Sequence, residues 1–290
     1  MVEIIFQKHQ DALKLQEMLN GCLASFLEHC EILLDGERNK VKIPVKKLSA
    51  AALNKVKQGF FEFIILTKRD EWCRTILSEN YFFTDPEEQG QILDILYSVL
   101  EGNRKELAGF FKGLSDERTL MAAIDELFSK KITFSFDSFV MFRLKSYIEQ
   151  LGSYLKVAID EFKMEQDYQM FVQTLREFLV GRPAQFSHLH LVIKEEAAFY
   201  NEFFEEIKRS DIVKTIDRKL VANHPVYVDS VTIAPLLSTA PTTIFLYSND
   251  PEQPLVRTIK NIFEERVKVF PIALFYECQA AILSEPYEKM

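Results

Sequence analysis

From Phe136 to Gly181 the chain repeats large apolar side chains at intervals of three and four: Phe139, Phe142, Tyr147, Leu151, Tyr154, Ile159 and Phe162, then Tyr168, Phe171, Leu175, Phe178 and Leu179. That interval is helical, and it gathers the rings and branched chains on one broad face. Arg143, Lys145, Glu149, Lys156, Asp160, Lys163 and Glu165 fall mostly off it. The stretch therefore predicts a long helical hairpin or a broken helix that buries an aromatic seam. Its ends are punctuated: Asp137 and Ser138 can cap amides at the front, Gly181 tolerates positive φ at the back, and Pro183 forbids continuation.

An aromatic seam needs a core to enter, and 290 residues with 48% hydrophobic and 27% charged side chains can supply one. Phenylalanine is unusually abundant, 25 residues against a single tryptophan, so rings build much of the core or of an interface. The net charge of −8 argues against broad nucleic-acid binding, which needs gathered Lys and Arg; the densest basic run, Lys46, Lys47, Lys55 and Lys57, is dispersed. Cys22, Cys30, Cys73 and Cys278 contain no CxxC pair and no zinc spacing, so reduced thiols are expected. The first residues lack the pattern of a signal peptide, and no apolar run approaches the length of a spanning helix, which places the expected location in the cytoplasm.

Taken in order, Val2 to Gln7 reads as a strand, followed by a helix through Ala12, Leu15, Leu19 and Leu23. Glu31 to Leu34, the turn residues Asp35 and Gly36, and Lys40 to Val45 read as a hairpin with Pro44 at a strand end. Residues 1–46 form an N-terminal βαββ unit. From Ser49 the period turns helical: Ser49 caps one helix, Thr84 or Asp85 with Pro86 opens another, and Ser115 a third. Ile132 to Phe136 is a short extended link. A helical region thus occupies 47–182, and a C-terminal α/β region 183–290. Within the latter, Ser187 to Ile193 and Thr242 to Tyr247 are strands, Ala197 onward is a hairpin partner or a helical turn, and Val226 to Ala240 is read as helix. Leu255 to Arg266 is an amphipathic helix and Val267 to Phe270 a parallel strand. The fold class is α+β with a predominantly helical middle. The two α/β ends are expected to meet, each being short of strands to shelter its own apolar faces, whether in one shared sheet or two.

The words FRLKSYIEQL, VAIDEF, DYQMFVQTLREFLV and HLHLVI, and later IAPLLSTAPTTIFLYSND and TIKNIFEERVKVF, stand in order over most of the chain. In them the sequence resembles the YtxC-like family of sporulation proteins from endospore-forming bacteria. The resemblance implies a role in sporulation and carries no catalytic residue, substrate or cofactor with it.

Five residues are functional candidates. His188 and His190 stand two apart on a strand, so both rings leave on one face, the geometry of a metal pair lacking a third ligand. Arg143 borders the aromatic seam, where a guanidinium can pair with a glutamate or clamp an anion. Asn249 and Asp250 follow a strand and precede a helix, a place where α/β folds bind phosphate, although no glycine-rich loop accompanies them. No catalytic or cofactor-binding motif is present, and no cofactor is expected. Two functions from different classes follow. One is a protein acting through contacts with an unidentified protein partner; the other is a small-ligand-binding protein or enzyme with a pocket at the C-terminal strand ends, near Ser248 to Asp250.

Overall fold

The computed structural model describes residues 1–24, 31–104, 107, 109, 116–130, 132–215 and 231–284. Cys30, Ser115 and the first part of the stretch from Val226 lie outside them. The chain divides into two compact units, Met1–Met164 and Glu165–Met290.

In the first unit, strand β1 (Val2–Ile5) leads into helix α1 (His9–Leu23), then β2 (Leu33–Asp35) and β3 (Lys40–Ile43). The hairpin turn is longer than Asp35 and Gly36 alone, because a 3-10 turn over Gly36–Arg38 ends on Asn39 in a left-handed conformation. The helices α2 (Ala50–Phe63), α3 (Arg69–Tyr81), α4 (Pro86–Leu100) and α5 (Asp116–Lys130) follow, with a five-residue π-helical turn, Ile64–Lys68, joining α2 to α3. Ser49 caps as expected, accepting from the amide of Ala52, and of the two candidates Thr84 and Asp85 it is Asp85 that caps α4, accepting from the amide of Glu87.

The extended link expected near Ile132 is a full sheet member. Strand β4 (Thr133–Ser135) lies parallel to β1, with Glu3 opposite Thr133, and completes a sheet of order β2-β3-β1-β4. Alternation along β1 and β3 sends Val2, Ile4, Val41 and Ile43 into the core, all with no exposed surface. Rings fill the space above them. Phe6 stacks on Phe136 with centroids 4.9 Å apart, and Phe60 meets Phe63, Phe128, Phe136 and Phe139. The abundant phenylalanine is thus largely structural here, each buried ring being worth about 1.5–3 kcal/mol.

The seam itself is a broken helix. Helix α6 (Phe136–Arg143) stops at Leu144, whose φ of −103° and ψ of 9° leave the helical region, and α7 (Lys145–Leu179) resumes at once. The front cap is Ser135, not Asp137 or Ser138, since the helix already begins at Phe136. Gly181 takes φ +73° beyond the end of α7, as its placement suggested. Along the seam, Phe136, Phe139 and Tyr147 join the ring-filled core, while Leu151, Tyr154, Leu155 and Ile159 pack with Cys73, Leu77, Ile92 and Leu96 of α3 and α4. Phe171, Val172, Leu175 and Leu179 belong to the core of the second unit. Phe142 departs from the seam and is 73% exposed.

The second unit holds its own sheet, of order β6-β5-β7-β8, so the N- and C-terminal strands do not share one. Strand β5 (His188–Ile193) pairs antiparallel with β6 (Ala197–Tyr200), which is therefore the hairpin partner and not a helical turn. On its other side β5 runs parallel to β7 (Thr243–Tyr247), and β7 parallel to β8 (Val267–Phe270). Helices α8 (Arg209–Thr215), α9 (Ile233–Thr239), α10 (Pro254–Phe263) and α11 (Ile272–Ser284) complete the unit. One sheet face, with Leu189, Leu191, Ile244 and Leu246, packs on Leu236, Leu237, Val256 and Ile259; the opposite face meets Phe275 of α11. Among the described residues no helix is long and apolar enough to cross a membrane.

Candidate functional site

Helix α6 is the element around which surface chemistry gathers. Phe136 and Phe139 anchor it in the core, and helical spacing then sends Ser138, Phe142 and Arg143 to one flank and Asp137, Val140 and Met141 to the other. Each flank lines a cleft.

The first cleft, about 350 Å³, is floored by Ala123 and Leu127 of α5 with Phe134 and Phe139, and edged by Ile132 and Phe142. Ile132 is 48% exposed. At its rim Glu126 accepts hydrogen bonds from Lys130 and from Arg143 Nη1, the latter at 3.1 Å. Lys130 foremost, with Arg143 behind it, holds the Glu126 carboxyl below its ordinary range. Arg143 thus pairs with a glutamate at the mouth of an apolar cleft. Two cations share one carboxylate there, so the rim keeps a positive excess.

The second cleft, about 400 Å³, opens where β1 and β4 end and α1 and α6 begin, with Phe6, Lys8, Asp11, Trp72, Phe136 and Asp137 among its lining. Its floor holds a buried charge. Lys68, only 5% exposed at the end of the π turn, donates to Asp11 Oδ2 at 2.9 Å and to Glu71, which also accepts from Lys8. Burial alone would push the Glu71 carboxyl up, but the hydrogen bonds from Lys68 and Lys8 outweigh it and hold the pKa below the ordinary value. The π turn is what places Lys68 here, since the extra residue in that turn shifts the register of side chains between α2 and α3. None of these charged residues stands out in the sequence; Trp72, the lone tryptophan, was the available signal.

The other sequence candidates lie in the second unit. His188 and His190 do leave β5 on one face, where both rings meet Phe245. His188 is exposed, whereas His190 is 6% exposed, with Nδ1 3.0 Å from the Tyr247 hydroxyl and its ring 4.1 Å from that of Phe204. Burial above all, and the neighbouring His188, lower its pKa to about 4, so the ring is neutral at physiological pH. Asn249 and Asp250 occupy an exposed turn whose polar groups serve one another: Ser248 Oγ accepts from the Asp250 amide and donates to the Asp250 carbonyl, and Asp250 Oδ1 accepts from the Glu252 amide. The cap position of α10 belongs to Gln253, whose side chain makes no capping bond. Among the described residues no group of three or more His, Cys, Asp or Glu side chains could hold a metal ion.

Comparison with known proteins adds two findings. The model of the YtxC-like family matches residues 54–268. An uncharacterized protein, YtxC, of Bacillus subtilis (strain 168) is 33% identical over 289 residues, covering 97% of this chain and 98% of that protein. No solved structure matches.

Proposed function

The chain belongs to the YtxC-like family, and from that premise we propose that it is a sporulation-associated cytoplasmic protein that works by contact with another protein, through the cleft beside Phe142. The observation that carries this reading is Phe142 itself. A phenylalanine 73% exposed at the edge of an apolar cleft, with Ile132 half exposed opposite, leaves apolar surface facing water that a partner would cover. The positive excess at the rim, Lys130 and Arg143 sharing Glu126, selects a partner segment in which an apolar side chain stands beside a carboxylate. A cleft of about 350 Å³ is of the size that one or two such side chains fill.

The experiment is a comparison of heat-resistant spore yield in the parent bacterium for a deletion and for Phe142→Asp, with protein levels followed in both. Phe142 is mostly exposed, so Phe142→Asp is expected to accumulate normally and to reproduce the deletion's low yield. A deletion that sporulates fully would remove the sporulation half of the reading. A Phe142→Asp strain that sporulates fully beside a defective deletion would remove the cleft.

A further inference from the structure

We infer that the second cleft, independent of the one beside Phe142, binds a small neutral sugar, with Trp72 as its stacking wall and Asp137 and Lys68 as its hydroxyl readers. An ammonium carries three N–H donors; Lys68 gives one to Asp11 and one to Glu71, and the third has no hydrogen-bond partner among the described residues. Because Lys68 lines an open cavity, that donor can be served by an acceptor atom brought in from outside. Asp137, in the first turn of α6, lines the same cavity; its charge acts on Lys8, and its carboxylate makes no hydrogen bond among the described residues. The cleft therefore offers an idle donor and an idle acceptor.

The charges decide what kind of molecule fits. Lys68 and Lys8 are already compensated by Asp11 and Glu71, so an anion entering the cleft would meet two carboxylates and a third in Asp137. A strongly cationic ligand would meet both ammonium groups. A hydroxyl suits both, since it donates to a carboxylate and accepts from an ammonium with one oxygen. Trp72 is partly exposed and supplies a flat apolar wall, backed by Phe136 at 6.4 Å and nearly parallel to it. Hydroxyl-reading charged pairs beside a flat ring match a pyranose, which carries hydroxyls at its edge and an apolar face. The cavity, about 400 Å³, accommodates one or two such rings.

Trp72 is the sole tryptophan, so emission from the intact protein reports on this cleft alone. The test is titration with a panel of neutral sugars, glucose, N-acetylglucosamine and cellobiose among them, beside glucose 6-phosphate, spermidine and adenosine. A saturable change with a neutral sugar, and at least tenfold weaker binding in Asp137→Asn, is the expected result. Asp137→Asn keeps the side chain's shape and breaks no bond, so it stays folded where Lys68→Met is at risk; Gln7→Ala, at the exposed edge of the cleft, is expected to weaken binding less. The inference is overturned if no neutral sugar saturates the signal, if one of the charged probes or adenosine binds more tightly than every sugar, or if Asp137→Asn binds as the parent does.

Discussion

His190 Nδ1 stands 3.0 Å from the hydroxyl of Tyr247 on the α11 side of the second sheet, in a nest of Phe204, Phe245 and Phe275. Burial drives the two groups apart in acidity: the imidazole falls to about 4 and the phenol is pushed up to about 12. The pair is therefore neutral on both sides, a hydrogen bond inside an aromatic cluster and not an acid–base couple at physiological pH.

A pH dependence follows with a definite sign. In the unfolded chain His190 takes up its proton near 6.5, while the folded chain resists until about 4. The folded state is thus fully favoured by this group above pH 6.5 and loses that advantage as pH falls toward 4, by at most about 1.4 kcal/mol per pH unit. His190→Gln can keep a bond to Tyr247 but does not titrate. Urea unfolding midpoints measured across that window should fall more steeply for the parent than for His190→Gln, and equal slopes would contradict the assignment.

In the first unit Lys68, Asp11, Glu71 and Lys8 form one ion network around a buried ammonium. Removing Lys68 leaves Asp11, whose side chain is 17% exposed, without its partner, and leaves Glu71 with Lys8 alone. Loss of one member of a buried pair is expensive, so Lys68→Met is expected to destabilise by about 3 kcal/mol. Asp11→Asn should cost less, because Glu71 still compensates the lysine, and Lys8→Ala, with its side chain 65% exposed, should change the unfolding midpoint barely at all. Chemical denaturation of the three variants orders them, and a Lys8→Ala cost equal to that of Lys68→Met would contradict the burial argument.

The same network marks where the sequence was legible and where it was not. Elements set by local pattern were readable: the β1 strand, the capped starts at Ser49 and Asp85, the helical period of the seam, and the paired face of His188 and His190. Each depends on residues within a few positions of one another. The parallel pairing of Thr133–Ser135 with β1 depends on residues 130 positions away, and three residues carry no period, so it reads as a link until the partner strand is known. Phe142 satisfies the helical interval yet faces water, because the break at Leu144 frees the last turn of α6 from the register of α7. Lys68, Asp11 and Glu71 are ordinary surface residues on any local count; only the π turn and the packing of α1 against it bring them together.

Two helical glycines should respond in opposite directions to alanine. At Gly59 in α2 an added Cβ would come within 2.8 Å of Cys22 Sγ and 3.0 Å of Leu19 Cδ2, both on α1, and Leu19 has no exposed surface into which to withdraw. Overpacking of about 1–3 kcal/mol there exceeds the roughly 1 kcal/mol that alanine gains in helix propensity. At Gly90 in α4 nothing lies within 4 Å of the added carbon, so the propensity gain of about 0.5–1 kcal/mol is expected in full. Thermal melts should show Gly59→Ala below the parent and Gly90→Ala above it. A stabilised Gly59→Ala would mean that α1 and α2 approach less closely than they do here.

The cysteines offer a reading of local opening. Cys73 of α3, fully buried against α4 and α7, has its thiol pushed up to about 12 by burial, so very little of it is the reactive thiolate at pH 8. Cys22 and Cys278 are free and partly exposed, and burial raises the Cys22 thiol as well. Alkylation by iodoacetamide, followed peptide by peptide with mass spectrometry, should therefore modify Cys22 and Cys278 well before Cys73. Because Cys73 is closed to reagent in the folded state, its rate is expected to track opening of the helices around it, and to rise with urea well below the global midpoint only if that helical cluster opens before the sheet-bearing core. A Cys73 modified as fast as Cys278 in the native protein would show that α4 and α7 do not close over it.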